Sequence, residues 1–102
     1  MKNRRIERRV HLPNKMDATI TYSDALKKVS GGIIGDISAR GMFMVTDSVL
    51  HKDAYVTMKL NAENFIGKPI YIQGLVVRTD ENGMAIKFTY ANDDEITTLL
   101  KF

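Results

Sequence analysis

The stretch Ile70-Tyr71-Ile72-Gln73-Gly74-Leu75-Val76-Val77-Arg78, followed by Thr79-Asp80-Glu81-Asn82-Gly83 and then Met84-Ala85-Ile86-Lys87-Phe88-Thr89-Tyr90, decides the fold. Its first part is rich in β-branched residues and carries apolar side chains on both faces, with Gly74 as a candidate bulge or bend. Its last part alternates, so that Met84, Ile86 and Phe88 share one face. The Asn82-Gly83 pair between them offers a tight turn. Two strands joined this way form an antiparallel hairpin, and a hairpin alone does not bury enough surface to be stable in water. More strands are therefore required upstream.

They are present. Ala18-Thr19-Ile20-Thr21-Tyr22 alternates, and Ser23-Asp24 reads as a turn. Ala25 to Val29 is ambiguous between an extended hairpin and a loop, and Gly31-Gly32 marks flexibility before a second strand, Ile33 to Ser38. Met42 to Thr46 forms a short third strand. Val56, Met58 and Leu60 alternate with Thr57 and Lys59 in a fourth. Asn61 to Lys68 reads as a loop, and Pro69 is acceptable at the start of the fifth strand but not in its middle.

Asn92-Asp93-Asp94-Glu95 before Ile96, Leu99 and Leu100 reads as the capped, acidic start of a short helix with one apolar stripe. So short a helix is marginal alone and needs tertiary packing. The fold class expected is therefore mainly all-β: a six-stranded antiparallel β-barrel with a short C-terminal helix, because closure removes exposed strand edges. The expected division is an arm over residues 1–12, a barrel over 13–91 and a helix over 92–102, in one domain. A chain of 102 residues with 44% hydrophobic residues is large enough for one core without metal or disulfide support.

Charge is unevenly divided. The formal net charge is +3, yet five of the 15 basic residues, against the single acid Glu7, lie in positions 1 to 9, which leaves the remainder slightly acidic. Four of the five are arginines: Arg4, Arg5, Arg8 and Arg9. Their mutual repulsion and the low apolar content around Ile6 predict a flexible basic arm. Two readings stand for this block: a solvated basic tail, or one part of an anion site, since guanidinium is a planar fork of donors that grips phosphate and the O6/N7 edge of guanine.

A second cluster, Asp36-Ile37-Ser38-Ala39-Arg40-Gly41, follows in a strand-like context. Asp and Ser two positions apart share a face under period 2. Asp36 can accept from a base edge and Ser38 can donate to a phosphate, while Gly41 permits close backbone approach or a positive φ. An ordinary strand end followed by a turn accounts for the same three residues.

Other chemistries find little support. With no cysteine there is no disulfide framework or thiolate site, and His11 and His51 lack zinc-ligand spacing. Asp93, Asp94 and Glu95 are better explained as the first turn of a helix than as a catalytic pair. Ser23, Ser30, Ser38 and Ser48 lie in no nucleophile elbow, and the glycines form neither a P-loop nor a dinucleotide fingerprint. The Met42, Phe43 and Met44 run reads as strand packing. No catalytic constellation emerges, so a non-enzymatic protein is expected. No apolar run approaches the roughly 18 residues of a membrane span, and no signal peptide is apparent. A soluble, cytoplasmic protein is the expectation.

Arg-x-x-x-Arg near the N-terminus, met by Arg5 and Arg9 or in the alternate frame by Arg4 and Arg8, followed by Asp36-x-Ser38-x-x-Gly41, resembles the PilZ domain, a bacterial receptor module for cyclic di-GMP. The Arg5 and Arg9 frame is favoured, because Val10 and Pro13 after it resemble the usual approach to the first strand. Gly41-Met42-Phe43-Met44, Val76-Val77-Arg78 and Gly83-Met84-Ala85-Ile86-Lys87-Phe88 extend the likeness over nearly the whole chain.

The resemblance implies a cyclic di-GMP receptor or adaptor with no cofactor and no metal. It also implies a site drawn from Arg4, Arg5, Arg8, Arg9, Asp36, Ser38, Arg40 and Gly41. In it the arm folds across the barrel, the arginines meet phosphate or guanine, and Asp36 accepts from guanine N–H groups. Ser38 and Arg40 support the phosphate end. It further implies a protein partner in motility, exopolysaccharide or adhesion control, which ligand binding reaches by changing the arm and the surface. The alternatives are a PilZ-like adaptor that binds no nucleotide and a small barrel for single-stranded nucleic acid. The second is disfavoured because the arm has no aromatic residue and the four Tyr and four Phe are scattered.

Overall fold

A computed structural model describes residues 16–22, 27–47 and 49–101. In chain order the elements are β1 (Asp17–Tyr22), β2 (Lys27–Ile37), β3 (Gly41–Val45), β4 (Tyr55–Leu60), α1 (Glu63–Ile66), β5 (Ile70–Asp80), β6 (Gly83–Tyr90) and α2 (Asp93–Leu99). The strands pair antiparallel in the order β1-β2-β3-β6-β5-β4, and β4 returns to β1, so the sheet is a closed barrel. The barrel and the C-terminal helix expected from the hydrophobic pattern are both present, and closure leaves no unpaired edge.

Alternation fills the interior. Ile70, Ile72 and Val76 of β5 are buried while Tyr71 and Gln73 between them are exposed. Val56, Met58 and Leu60 of β4, Met42 and Met44 of β3, and Met84 and Ile86 of β6 complete the packing. Unbranched Met side chains adapt to the irregular gaps between strongly coiled strands, which suits five of them to this narrow core. Ile96 and Leu99 of α2 are buried against the same cluster. Asn92 caps that helix: its side chain accepts from the Glu95 N–H at 3.0 Å.

Three sequence expectations are corrected. The first concerns the start of the second strand, expected at Ile33: β2 runs from Lys27 to Ile37 and includes Gly31-Gly32. Gly32 marks a close approach instead: a Cβ there would collide with the Val45 carbonyl oxygen and lie 2.8 Å from Thr46 Cβ. The second concerns the 61–68 loop, which contains the one-turn helix α1. The buried Ala62 carbonyl accepts from the Phe65 and Ile66 N–H groups, and Gly67 ends the turn at φ 86°.

The third concerns the β5–β6 turn, which is centred on Glu81 and Asn82, with Gly83 already in β6. Neither central residue has a positive φ. The Asp80 side chain shapes the turn by accepting from the N–H groups of Asn82 at 2.8 Å and Gly83 at 3.1 Å. The bend expected at Gly74 is present as a register shift between Gln73 and Gly74, and a second shift follows between Val76 and Arg78.

Candidate ligand-binding site

The Asp36 to Gly41 cluster is the connection between β2 and β3. Ile37 pairs with Met42, and Ser38 donates its N–H to the Gly41 carbonyl at 2.8 Å, which leaves Ala39 and Arg40 exposed at the tip. Ser38 itself is fully buried. Its hydroxyl is 3.3 Å from the same Gly41 carbonyl, to which it donates, and accepts from the Arg40 N–H at 3.3 Å. One buried hydroxyl thus ties both ends of the turn together and fixes the backbone of Arg40. Gly41 has no positive φ. It is needed because a Cβ there would lie 2.5 Å from the Ile86 carbonyl oxygen across the β3–β6 ladder.

Asp36 does not share the burial of Ser38. The β2–β3 register shifts between Ile34 and Asp36, so Ile34 and Ile37 both face the core and Asp36 is half-buried beside Phe43. Period 2 does not carry on to Ser38, because β2 ends at Ile37 and Ser38 already belongs to the turn. Beyond Phe43 lies Arg78 of β5, whose guanidinium carbon is 5.9 Å from the ring centroid.

The tip of the turn borders two hollows. One, of about 310 Å³, lies between Arg40 and the end of the barrel and is lined by Lys87, Thr89, Tyr90 and Asp93 among others. The other, of about 230 Å³, is bounded by Gly41, Met42, Val77 and Ala85. Arg40 and Lys87 line both. They therefore stand as a cationic ridge between two clefts, and the Arg40 carbonyl is held by the Phe88 N–H at 2.8 Å. The larger volume is at the lower end of the range for small-molecule pockets and the smaller is below it.

Of the sequence-derived candidates, the structure gathers Ser38, Arg40 and Gly41 in this turn, with Asp36 on the strand leading into it. Arg4, Arg5, Arg8 and Arg9 lie outside the described residues, as do His11, Ser23 and Ser48. Lys87, Tyr90 and Asp93 were not singled out for a site from the sequence. They sit about fifty positions downstream of Asp36 and reach Arg40 only because Gly41 pairs with Lys87. Tyr90 continues the alternation of Met84, Ile86 and Phe88 in the sequence, so its exposure has no local signal.

The remaining side chains have structural duties. Met42 and Met44 are buried, as strand packing requires. His51 is exposed, with Nδ1 2.8 Å from the Lys52 carbonyl oxygen, to which it donates. No cluster of three potential metal ligands occurs among the described residues. No helix among them is long and apolar enough to cross a membrane.

The model of the PilZ domain matches residues 2–102 of the sequence. The chain belongs to the PilZ domain family. No curated protein matches it by sequence. Among solved structures it is similar to the PilZ domain of YcgR from Escherichia coli with c-di-GMP, at TM-score 0.77 and 11% identity over 97% of this chain and 90% of that one. It is also similar to the inhibitor of motility MotI/DgrA from Bacillus subtilis, at TM-score 0.74 and 17% identity over 98% of this chain. This PilZ domain spans about half, 49%, of that motility inhibitor. The PilZ domain of CeSA from a cellulose-synthesising bacterium superposes at TM-score 0.65 and 14% identity, with 92% of each chain covered. At these identities the likeness is one of fold.

Proposed function

We propose that this PilZ domain is a receptor for cyclic di-GMP, bound over the β2–β3 turn. The observation that carries the reading is the ridge of Arg40 and Lys87 between two clefts, one on each side. A cyclic dinucleotide has two phosphates and two bases. Phosphates on the ridge and a base to either side match that distribution of charge and space. The PilZ domain of YcgR, which shares the fold, was solved with c-di-GMP.

In this reading the arm supplies the opposite wall. Arg5 and Arg9, or Arg4 and Arg8 in the alternate frame, close over the ligand and contact phosphate or the guanine O6/N7 edge. Asp36 accepts from guanine N–H donors. Ser38 and Gly41 act through the backbone: the buried hydroxyl and the missing Cβ hold the turn that presents Arg40. Ordering each arm residue costs on the order of 1 to 2 kcal/mol of backbone entropy, which charge-assisted bidentate contacts offset.

The reading extends to a signalling role without chemistry. Ligand shifts the arm between two populations and so creates or hides a surface for a partner protein controlling motility, exopolysaccharide or adhesion. A neighbour in fold named as an inhibitor of motility and another from a cellulose-synthesising bacterium support that range of partners. Calorimetric titration of the wild type, Arg9→Ala and Asp36→Ala with cyclic di-GMP tests the site. Loss of affinity in both folded variants is expected, and unchanged affinity in both sinks it. Hydrogen exchange over residues 1–12, with and without ligand, tests the switch: protection that does not change counts against it.

A further inference from the structure

We infer that the larger cleft is a guanine-selective subsite of this receptor, in which Tyr90 stacks on one base of the ligand and Asp93 reads its N–H edge. The inference rests on the cyclic di-GMP reading above and adds to it residues that belong to neither sequence motif.

Four side chains define the subsite: Arg40, Lys87, Tyr90 and Asp93 all line one cleft of about 310 Å³. Arg40 and Lys87 also line the neighbouring cleft, whereas Tyr90 and Asp93 line this one alone. Both cations thus line the shared wall, while the carboxylate belongs to the larger cleft alone. A nucleotide half entering this space has one orientation that satisfies both: phosphate toward the ridge, base toward Asp93.

The chemistry of the far side suits a purine. Tyr90 is 64% exposed at the end of β6, so most of its aromatic surface is open to a ligand. Bases splayed from a backbone stack on such rings and are read along their hydrogen-bonding edges. Asp93, when ionised, only accepts hydrogen bonds. Guanine presents adjacent N1–H and N2–H donors on its Watson–Crick edge, which a carboxylate takes in pairs. Adenine presents an N1 acceptor there, which a carboxylate repels. The cleft is thus biased against the adenine counterpart of the same ligand.

Asp93 is also free for this task. Among the described residues its side chain makes no hydrogen bond or ion pair, and neither do the side chains of Tyr90 and Lys87. Its neighbours are committed: Asn92 caps the helix and Glu95 pairs with Lys68 at 3.0 Å. The three available groups converge on one cleft from the end of β6 and the start of α2, while the adjoining Arg40 is fixed by the Ser38 turn.

The ligand then has two different base sites. One guanine meets Tyr90 and Asp93, and the other lies across the ridge in the smaller cleft. That arrangement predicts an ordered set of affinities rather than a single yes or no. The full chain and its Asp93→Asn, Tyr90→Ala and Tyr90→Phe variants are titrated with cyclic di-GMP, cyclic di-AMP and cyclic GMP-AMP by calorimetry. Equal thermal midpoints verify the fold of these surface variants.

In the wild type, cyclic di-GMP binds tightest. Asp93→Asn weakens it by about 10-fold or more and narrows its margin over cyclic di-AMP, because a neutral amide accepts less well and brings its own donors. Tyr90→Ala weakens every cyclic dinucleotide, by roughly 5- to 150-fold on the scale of lost base stacking. Tyr90→Phe keeps affinity within about 2-fold, since the ring remains. If the wild type binds cyclic di-GMP and Asp93→Asn binds it equally or more tightly, Asp93 merely repels phosphate and the subsite is overturned while the receptor reading stands. If the wild type binds no cyclic dinucleotide, both readings fall together.

Discussion

Replacing Gly41 with alanine adds one methyl group to the first residue of β3 and tests why the turn ends in glycine. The new Cβ would lie 2.5 Å from the Ile86 carbonyl oxygen and 3.5 Å from Lys87 Cα, both backbone atoms in the paired strand. Ordinary carbon contacts sit at about 3.5 to 4.0 Å, so the β3–β6 ladder must open by about 1 Å at the Gly41–Lys87 pair. Overpacking of that kind costs about 1 to 3 kcal/mol. The loss of chain entropy in the unfolded state returns about 0.4 to 1 kcal/mol.

The net expectation is about 1 to 2 kcal/mol of destabilisation, and a lowering of Tm by roughly 5 to 15 °C at about 4 to 8 °C per kcal/mol. Gly35→Ala is the matched control in the same hairpin. Its Cβ would meet nothing closer than Val45 Cγ2 at 3.4 Å and Phe43 O at 3.5 Å, and Gly35 has no positive φ. That variant should be neutral or slightly more stable, by up to about 1 kcal/mol. Thermal unfolding followed by circular dichroism compares the two. A Gly41→Ala protein as stable as Gly35→Ala would refute the close-approach explanation.

Other substitutions separate strong from weak contributions. Ser38→Ala removes a buried hydroxyl that bridges the Gly41 carbonyl and the Arg40 N–H, so chemical denaturation should show a loss of about 1 to 3 kcal/mol and ligand titration a weaker complex. Asn92→Ala deletes the side-chain cap on the Glu95 N–H and should cost about 1 kcal/mol by the same measurement. Lys68→Ala breaks an ion pair whose lysine side chain is 60% exposed, and the unfolding midpoint should change by no more than about 0.5 kcal/mol, less at high salt.

The barrel was legible because each strand carries its own alternation, and Ile70, Ile72 and Val76 or Val56, Met58 and Leu60 announce an inner face without help from neighbours. What was not legible depends on contacts between strands. Gly31-Gly32 reads locally as flexibility ahead of a strand, yet Gly32 is a strand residue whose missing side chain makes room for the Val45 carbonyl. The Ile34–Asp36 register shift, which turns both Ile34 and Ile37 to the core, depends on the pairing with β3 and has no local signature. Helix α1 is a single turn, too short for periodicity to declare itself.

The site divides in the same way. Asp36, Ser38, Arg40 and Gly41 are close in sequence and were found as a motif. Lys87, Tyr90 and Asp93 join Arg40 through the pairing of β3 with β6 and the position of α2, which no local pattern encodes. Asp93 was hidden further by the ordinary use of acids in a helix's first turn.

The most direct measurement is a titration of the full chain with cyclic di-GMP, followed by calorimetry and by the thermal midpoint, with GTP and linear diguanylate as controls. Two phosphates held on one ridge between two base clefts predict saturable binding of the cyclic ligand and markedly weaker binding of both controls. Stabilisation should reach about 2.7 kcal/mol when free ligand is 100 times the dissociation constant. A chain that shows neither binding heat nor any rise in midpoint with cyclic di-GMP contradicts the receptor reading.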